Sequence, residues 1–222
     1  MVTSDLVSED GIAKLIIPDD LSDEPALKTY IEAKVYDKEG HLIQHHRQPM
    51  RSLTQYFLAL MSIPIVGTYN GSSSNQAQGL LVNILGLPSQ QYSSPTYSAD
   101  ISWDWSIVLG SGTQSFSPTL TNLVAPISNG TGAGNLYYGS LGVSYTATSI
   151  TATITVTNYS ASAITITEIG LKANIYIQYE NSSNAFSYNT YSFLLSYDTF
   201  STPISIPPNG LAAFQITLTF TG

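Results

Sequence analysis

The sequence predicts an all-β protein, and three observations support this prediction. Polar and apolar residues alternate over long stretches such as residues 151–171, which is the pattern of strands with one buried face. Turn-forming Gly, Pro, Asn and Ser divide these stretches at intervals of roughly 8–12 residues. The 222 residues include 30 Ser, 23 Thr and 15 Tyr, whereas charged residues make up only 10 %. Together these features predict an antiparallel β-sandwich of about eight to ten strands.

The charged residues are concentrated near the N-terminus. Residues 1–51 hold 16 of the 22 charged side chains, and the net charge of the chain is −8. Only one lysine follows residue 51, which argues against a nucleic-acid partner because such partners need basic side chains to neutralise phosphates. The longest apolar stretch, residues 57–66, is too short to span a bilayer. We therefore expect neither nucleic-acid binding nor a membrane span.

The chain contains no cysteine, which excludes disulfides and thiolate metal sites. Its first residues show no basic segment followed by an apolar one, so we expect no secretory signal and synthesis in the cytoplasm of a host.

Residues 1–28 are predicted to form an extended N-terminal arm. The segment is acidic and has little apolar surface apart from residues 12–17. Two interpretations remain open: a solvated tail, or an arm that docks Leu15, Ile16 and Ile17 on a neighbouring subunit. Residues 29–222 are predicted to form a single β-sandwich domain, with a loop-rich insertion at about 67–99.

The domain is predicted to begin with a hairpin over residues 29–47, whose turn at 37–40 ends in a glycine. One short helix is predicted over residues 52–62. Ser52 and Gln55 have the spacing of a capping box, and the apolar residues that follow recur at helical spacing. Later strands are predicted at residues 101–109, 140–156, 164–171, 173–179, 188–197 and 212–220.

No arrangement of residues in the sequence predicts an active site. All three histidines, His41, His45 and His46, lie on the first hairpin, and no G-x-S-x-G motif occurs. On a strand His41 and His45 are about 13 Å apart, too far for one zinc ion. Asp100 and Asp104 are separated in the same way, beyond the usual spacing of glycosidase carboxylates. We therefore predict no catalytic residue, metal or cofactor.

Trp103 and Trp105 fall on one face of the strand that contains the aspartates. They are candidates for an interface anchor or for a glycan-contacting platform. Four N-x-[S/T] motifs at predicted turns make Asn70, Asn129, Asn158 and Asn181 candidate glycosylation sites.

Four blocks of the sequence resemble, in the same order, segments of β-sandwich structural proteins of virions. The first is the hairpin and Ser-initiated helix of residues 30–60. Residues 107–127 then contain Gly-Ser-Gly-Thr, Pro-Thr and Pro-Ile, residues 151–171 end in Thr-Ile-Thr-Glu-Ile-Gly-Leu, and residues 202–210 have a Pro-Ile…Gly ending. The resemblance is to vertex, turret and tail-associated proteins, such as those of Sulfolobus turreted icosahedral virus. The sequence departs from that pattern at Asn122 and in the insertion.

This resemblance implies a jelly-roll-like, non-enzymatic subunit at a capsid vertex, a penton base or turret. It implies a homo-oligomer, expected to be a pentamer, that contacts other capsid proteins. The residues it carries over are structural: Gly110, Gly112 and Gly170 for backbone geometry, and Pro118 and Pro126 for loop stiffness. The alternative function is a receptor- or glycan-binding module of the tail-fibre or adhesin type.

Overall fold

A computed structural model describes residues 26–50, 52–57, 101–180 and 186–221. This part of the chain contains nine β-strands. They are β1 Ala26–Tyr36, β2 Leu42–Pro49, β3 Ile101–Gly110, β4 Tyr137–Tyr138, β5 Gly142–Tyr145, β6 Ser149–Thr157, β7 Ile164–Glu180, β8 Phe186–Ile206 and β9 Leu211–Thr221. The loop-rich insertion predicted at 67–99 and most of the predicted arm lie outside the described residues.

The strands form two antiparallel sheets. The larger has the order β2-β1-β9-β6-β4, with β5 also paired to β6, and the smaller has the order β3-β7-β8. β9 lies between β1 and β6, so strands from the two ends of the described chain are neighbours at the centre of the larger sheet. The fold class predicted from the sequence, an all-β antiparallel sandwich, is confirmed.

The main core lies between the two sheets. Alternate residues of each strand point into it, as Ile31, Ala33 and Val35 do in β1, and all three are fully buried. The same alternation in β3 and β7 buries Ile107 and Ile169 in the same cluster. Every second residue of these strands is apolar and points inward. The strands could therefore be predicted from the alternation of polar and apolar residues in the sequence.

The structure differs from the prediction in the bounds of three predicted strands. Residues 140–156 form a hairpin of β5 and β6, and the turn is held by Thr146, which accepts hydrogen bonds from the amides of Thr148 and Ser149. Conversely, the strands predicted at 164–171 and 173–179 form one continuous strand, β7. β1 begins at Ala26, inside the segment predicted as the arm.

The predicted helix is represented by one turn at residues 55–57, and the rest of its predicted length lies outside the described residues. The segment connects the two sheets, since Met50 bonds to Thr29 of β1 and Thr54 bonds to Leu195 of β8. Tyr56 and Phe57 are buried in the main core.

The edges of β2 and β8 are joined by two glutamine side chains. The Gln44 amide donates to the carbonyl of Pro203 (3.0 Å) and accepts from the amide of Ser205 (3.0 Å). Gln48 does the same with Thr199 (2.8 Å) and Ser201 (3.0 Å). A register shift between β7 and β8 leaves residues 200–203 without a partner on β7, and the bonds to Ser201 and Pro203 fall in this stretch.

A loop of residues 111–126 covers the outer face of the smaller sheet. Leu123 packs there against Leu194 and Tyr197 in a second, smaller apolar cluster, with Val108 and Leu120 at its margin. Around Glu168, Leu194 and Tyr197 the smaller sheet is therefore buried on both faces.

Candidate interaction surface

A row of mainly apolar side chains crosses the outer face of the larger sheet. Its members are directly opposite one another on five neighbouring strands, and we call this row the outer belt. It consists of Leu42, Tyr36, Leu211, Thr157 and Tyr137, in the order β2-β1-β9-β6-β4. Four strand spacings give the outer belt a width of about 19 Å. None of its members is charged.

The outer belt faces solvent. Leu42, Leu211 and Tyr137 are all exposed, and the Tyr159 ring, also exposed, packs edge-on against Tyr137 with ring centroids 5.9 Å apart. Single exposed apolar residues are ordinary on a protein surface, but contiguous rows of them mark interaction sites. Tyrosine is enriched in such sites because it adds area and a hydrogen bond with few rotatable bonds.

Charged side chains occupy one half of the same face, on β1 and β2. Lys34 and Glu32 form an ion pair (2.8 Å), and the His45 ring lies 2.8 Å from the same Glu32 oxygen. The hydrogen bond from Lys34 lowers the pKa of Glu32, with a smaller opposing effect of burial. Arg47 lies over the Tyr30 ring, 4.8 Å from its centroid. The charge of Glu32 is thus balanced within the chain by Lys34, and Arg47 contacts an aromatic ring.

The other half of the face, on β6 and β9, is uncharged and rich in threonine. The hydroxyls of Thr151 and Thr217, directly opposite on the two strands, are 3.1 Å apart. Threonine suits this position because it is β-branched and polar without carrying a charge. Another protein can cover such a surface without burying unpaired ions, which would be costly.

Glu168 holds the loop of residues 111–126 to the smaller sheet. It lies on β7, fully buried, and its carboxylate accepts hydrogen bonds from the amides of Ala125 (2.9 Å), Gly112 (3.3 Å) and Val124 (3.3 Å). Thr167, the preceding residue, donates to the Gly112 carbonyl (2.6 Å). A buried carboxylate is tolerated where backbone donors surround it, as they do here.

Of the glycines predicted to be structural, Gly110 and Gly112 lie against this carboxylate, and Gly170 lies against the second apolar cluster. A Cβ atom at Gly110 would overlap Glu168 and come within 2.8 Å of the Ala125 carbonyl oxygen. At Gly170 a Cβ atom would lie 2.9 Å from the carbonyl oxygen of Ser196. Both glycines therefore permit close approach of neighbouring atoms.

The two prolines predicted to stiffen the loop lie at its contacts with the rest of the fold. Pro126 pairs with Gly110 in an isolated bridge, and the Pro118 carbonyl accepts from the amide of Gln55. Gly112 contributes its amide to Glu168, as described above. The five positions thus belong to one connected loop-and-sheet unit.

Glu168 was not predicted as a key residue from the sequence. The available signal was a single carboxylate within the alternating apolar strand of residues 164–171, almost alone in a chain that carries six charges after residue 51. Burial of that carboxylate follows from the loop that covers it, and this loop has no periodic pattern from which its path could be predicted.

The histidines have separate partners. His41 binds Asp37 at the hairpin turn (3.1 Å), His45 binds Glu32, and His46 lies 2.8 Å from the Gln48 side-chain oxygen at the β2–β8 edge. Asp104 is exposed on β3, while Asp100 lies outside the described residues.

One group in the described part of the chain has metal-ligating atoms close together: Asp37, Glu39 and His41, within 4.8 Å of one another. It lies at the exposed turn between β1 and β2. Asp37 accepts hydrogen bonds from the amides of both other residues, so the turn itself accounts for their proximity.

Trp105 lies on the core face of β3, opposite Ala173, yet 36 % of it is exposed. Trp105 has the same strand parity as the buried Ile107 and Leu109, but it lies nearer the end of the sandwich. The side chain of Trp103 lies outside the described part of the structure.

The structure describes two of the four candidate glycosylation sites, and Asn70 and Asn181 lie outside it. Asn129 is exposed, and its side-chain oxygen accepts from the Tyr138 amide. Asn158 is fully buried, and its side-chain nitrogen donates to the carbonyls of Ser162, Ile206 and Pro207. This burial argues against Asn158 as an acceptor in the folded chain.

Comparison with protein-family models, with curated proteins and with solved structures gave no match for this chain. Among the described residues, none of the helical segments has the length and apolar character needed to cross a bilayer.

Proposed function

We propose that the chain is a non-enzymatic structural subunit of a virion that assembles with other copies of itself through the outer belt. The observation that carries this proposal is the uncharged row of side chains across five strands, in which Leu42, Leu211 and Tyr137 are exposed and the two others are half-buried. Its margin is polar, with the charged turn of residues 37–41 beside it, as is usual at the rim of protein interfaces.

The virion context rests on the order of the four sequence blocks that resemble vertex and tail-associated proteins. In that context the subunit is a jelly-roll-like sandwich in a ring at a capsid vertex, a penton base or turret. A closed ring of identical subunits, expected to be a pentamer, uses a heterologous contact, in which the outer belt meets a different surface of the neighbour.

The oligomeric state of the full chain in solution tests this proposal. Native mass spectrometry is expected to give a closed oligomer, and Leu211→Asp or Tyr137→Asp is expected to convert it to monomers, because a buried unpaired carboxylate is costly. Phe116→Asp is the matched control, since Phe116 is similarly exposed but lies on the covering loop. A wild-type chain that stays monomeric at all concentrations, and is missing from purified particles, overturns the proposal.

A second candidate function, binding of a receptor or glycan, is favoured by the partial exposure of Trp105. A tryptophan ring accessible from the end of a sandwich suits stacking on a sugar ring. Glycan-array binding that is lost in Trp103→Ala and Trp105→Ala favours this function, and unchanged binding counts against these residues.

A further inference from the structure

A second apolar surface lies on the core face of the larger sheet, at the end where β1 begins. We call it the ledge. Its members are Leu27 on β1, Phe220 on β9, Ile150 on β6, and Val143 and Tyr145 on β5. Leu27 is opposite Phe220, and Ile150 is opposite Tyr145.

The ledge continues the rows of side chains that form the main core. One step further along β1, β9 and β6, the residues that face inward are the buried Thr29, Leu218 and Ala152. On the ledge the same alternation continues, but 47 % of Phe220, 62 % of Val143 and 83 % of Tyr145 are exposed. Covering this apolar part of the sheet with other apolar groups is favourable, because burial of apolar area stabilises a protein.

The described chain begins at the ledge, which brings the preceding N-terminal segment within reach of it. β1 begins at Ala26, opposite Thr221, so the described chain begins one residue before Leu27 of the ledge. Residues 12–17 read Ile-Ala-Lys-Leu-Ile-Ile and are the apolar run of this segment. Eight residues, 18–25, separate that run from Ala26 and reach at most about 26 Å.

The ledge is narrower than this reach. It crosses four strands, β1-β9-β6-β5, which is about 14 Å. A tether of this length gives an effective concentration in the millimolar range, well above that of a second copy in dilute solution. The run carries one charge, Lys14, and the ledge carries none, so contact between them buries little charge.

We propose that residues 12–17 dock on the ledge of the same chain. The ledge is then an intramolecular binding surface for the arm, separate from the outer belt, which lies on the opposite face of the sheet. This proposal does not rest on the proposed virion function.

Thiol protection tests the proposal, because the chain has no cysteine of its own. Val143→Cys places one thiol on the ledge, and its rate of reaction with an aromatic disulfide reagent is measured in the full chain. We expect Leu15→Asp/Ile16→Asp to raise this rate at least about tenfold, as expected for an arm that is docked for nine-tenths of the time. Leu6→Asp/Val7→Asp, in the same arm outside the run, is the matched control and is expected to leave the rate unchanged.

Three results would overturn the proposal. The first is an equal rate of thiol reaction with and without the Leu15→Asp/Ile16→Asp substitutions, whether fast or slow. Residues 12–17 would then not cover the ledge. The second is protection that is lost on dilution, because the arm would then come from another copy. The third is an equal effect of both pairs of substitutions. Circular dichroism of each variant checks that the sandwich is intact, and loss of assembly through the outer belt does not affect the measurement.

Discussion

Glu168 organises a loop of sixteen residues by accepting three backbone hydrogen bonds at one carboxylate. The alternation of β7 placed this residue on the outer face of the smaller sheet, where a carboxylate would ordinarily meet water. The loop replaces that water with backbone amides, and the glycines at 110 and 112 allow it to approach. A single carboxylate thereby anchors the loop to the sheet.

Removing the charge of Glu168 is predicted to destabilise the protein. In Glu168→Gln an amide group replaces one oxygen and cannot accept from the backbone donors facing it, which costs about 2–3 kcal/mol. Urea denaturation measures the loss, and hydrogen exchange at Ala125 and Val124 locates it. Glu39→Gln, at the exposed turn, is expected to change stability by less than about 0.5 kcal/mol. Equal stability of the two variants would contradict the role given to Glu168.

Adding one methyl group at Gly110 is predicted to destabilise the protein by about 1–3 kcal/mol, because the new atom overlaps Glu168 and forces the loop away. Gly132→Ala is the matched control, since a Cβ atom there meets only Asn135, at 3.5 Å. Thermal unfolding of the two variants compares them directly. A Gly110→Ala protein as stable as the wild type would show that the loop adjusts without cost.

At the scale of elements, the contact between β2 and β8 replaces backbone pairing with side-chain amides. Residues 200–203 of β8 lack a partner on β7, and strand edges without a partner can pair with other chains. Gln44 and Gln48 each present a donor and an acceptor, so they occupy the edge as a neighbouring strand would. The sandwich is thereby closed along one side.

The double variant Gln44→Ala/Gln48→Ala is predicted to open this side of the sandwich. The amides of Ser201 and Ser205 lose their acceptors, so their hydrogen exchange should become faster, and the free energy of unfolding should fall by about 1–3 kcal/mol. Gln215→Ala, on the outer face of β9, serves as the control. If exchange at both serines remains slow, the glutamines do not protect this edge.

The strands and their order in the sheets show what the alternation of polar and apolar residues can and cannot predict. It located the strands because burial of one face repeats every second residue. The hairpin of β5 and β6 was visible only as a change of parity, with Val143 and Tyr145 odd-numbered and Ile150 and Ala152 even-numbered. The outer belt was not predictable, because the register between β1 and β9 depends on contacts between residues more than 170 positions apart, such as Tyr36 and Leu211.

At the scale of the whole molecule, stability depends on pH through buried tyrosines. Burial raises the pKa of Tyr138 to about 12, and it also raises the pKa of Tyr197. A group whose pKa is higher in the folded chain stabilises the fold fully below its unfolded pKa, near 10. That contribution is lost as the pH rises from about 10 to 12.

We predict that the free energy of unfolding falls by up to about 2–3 kcal/mol over this range because of Tyr138. Tyr138→Phe should be less stable at neutral pH, since the hydrogen bond to the Ile127 carbonyl is lost, but its stability should depend less on pH. Tyr145→Phe is the control, because Tyr145 is highly exposed. Urea denaturation at pH 8, 10 and 11 measures the slope, and equal slopes in all three proteins would contradict the prediction.

The central position of β9 has a consequence for the order of events during synthesis. β1 and β2 leave the ribosome early, but the inner neighbour of β1 is β9, which ends at Thr221. The hairpin of β1 and β2 must therefore wait until almost all of the other described strands have been made. A two-stranded hairpin is marginally stable by itself. The larger sheet accordingly forms after translation has passed residue 221, and until then the nascent chain exposes the apolar face of β1.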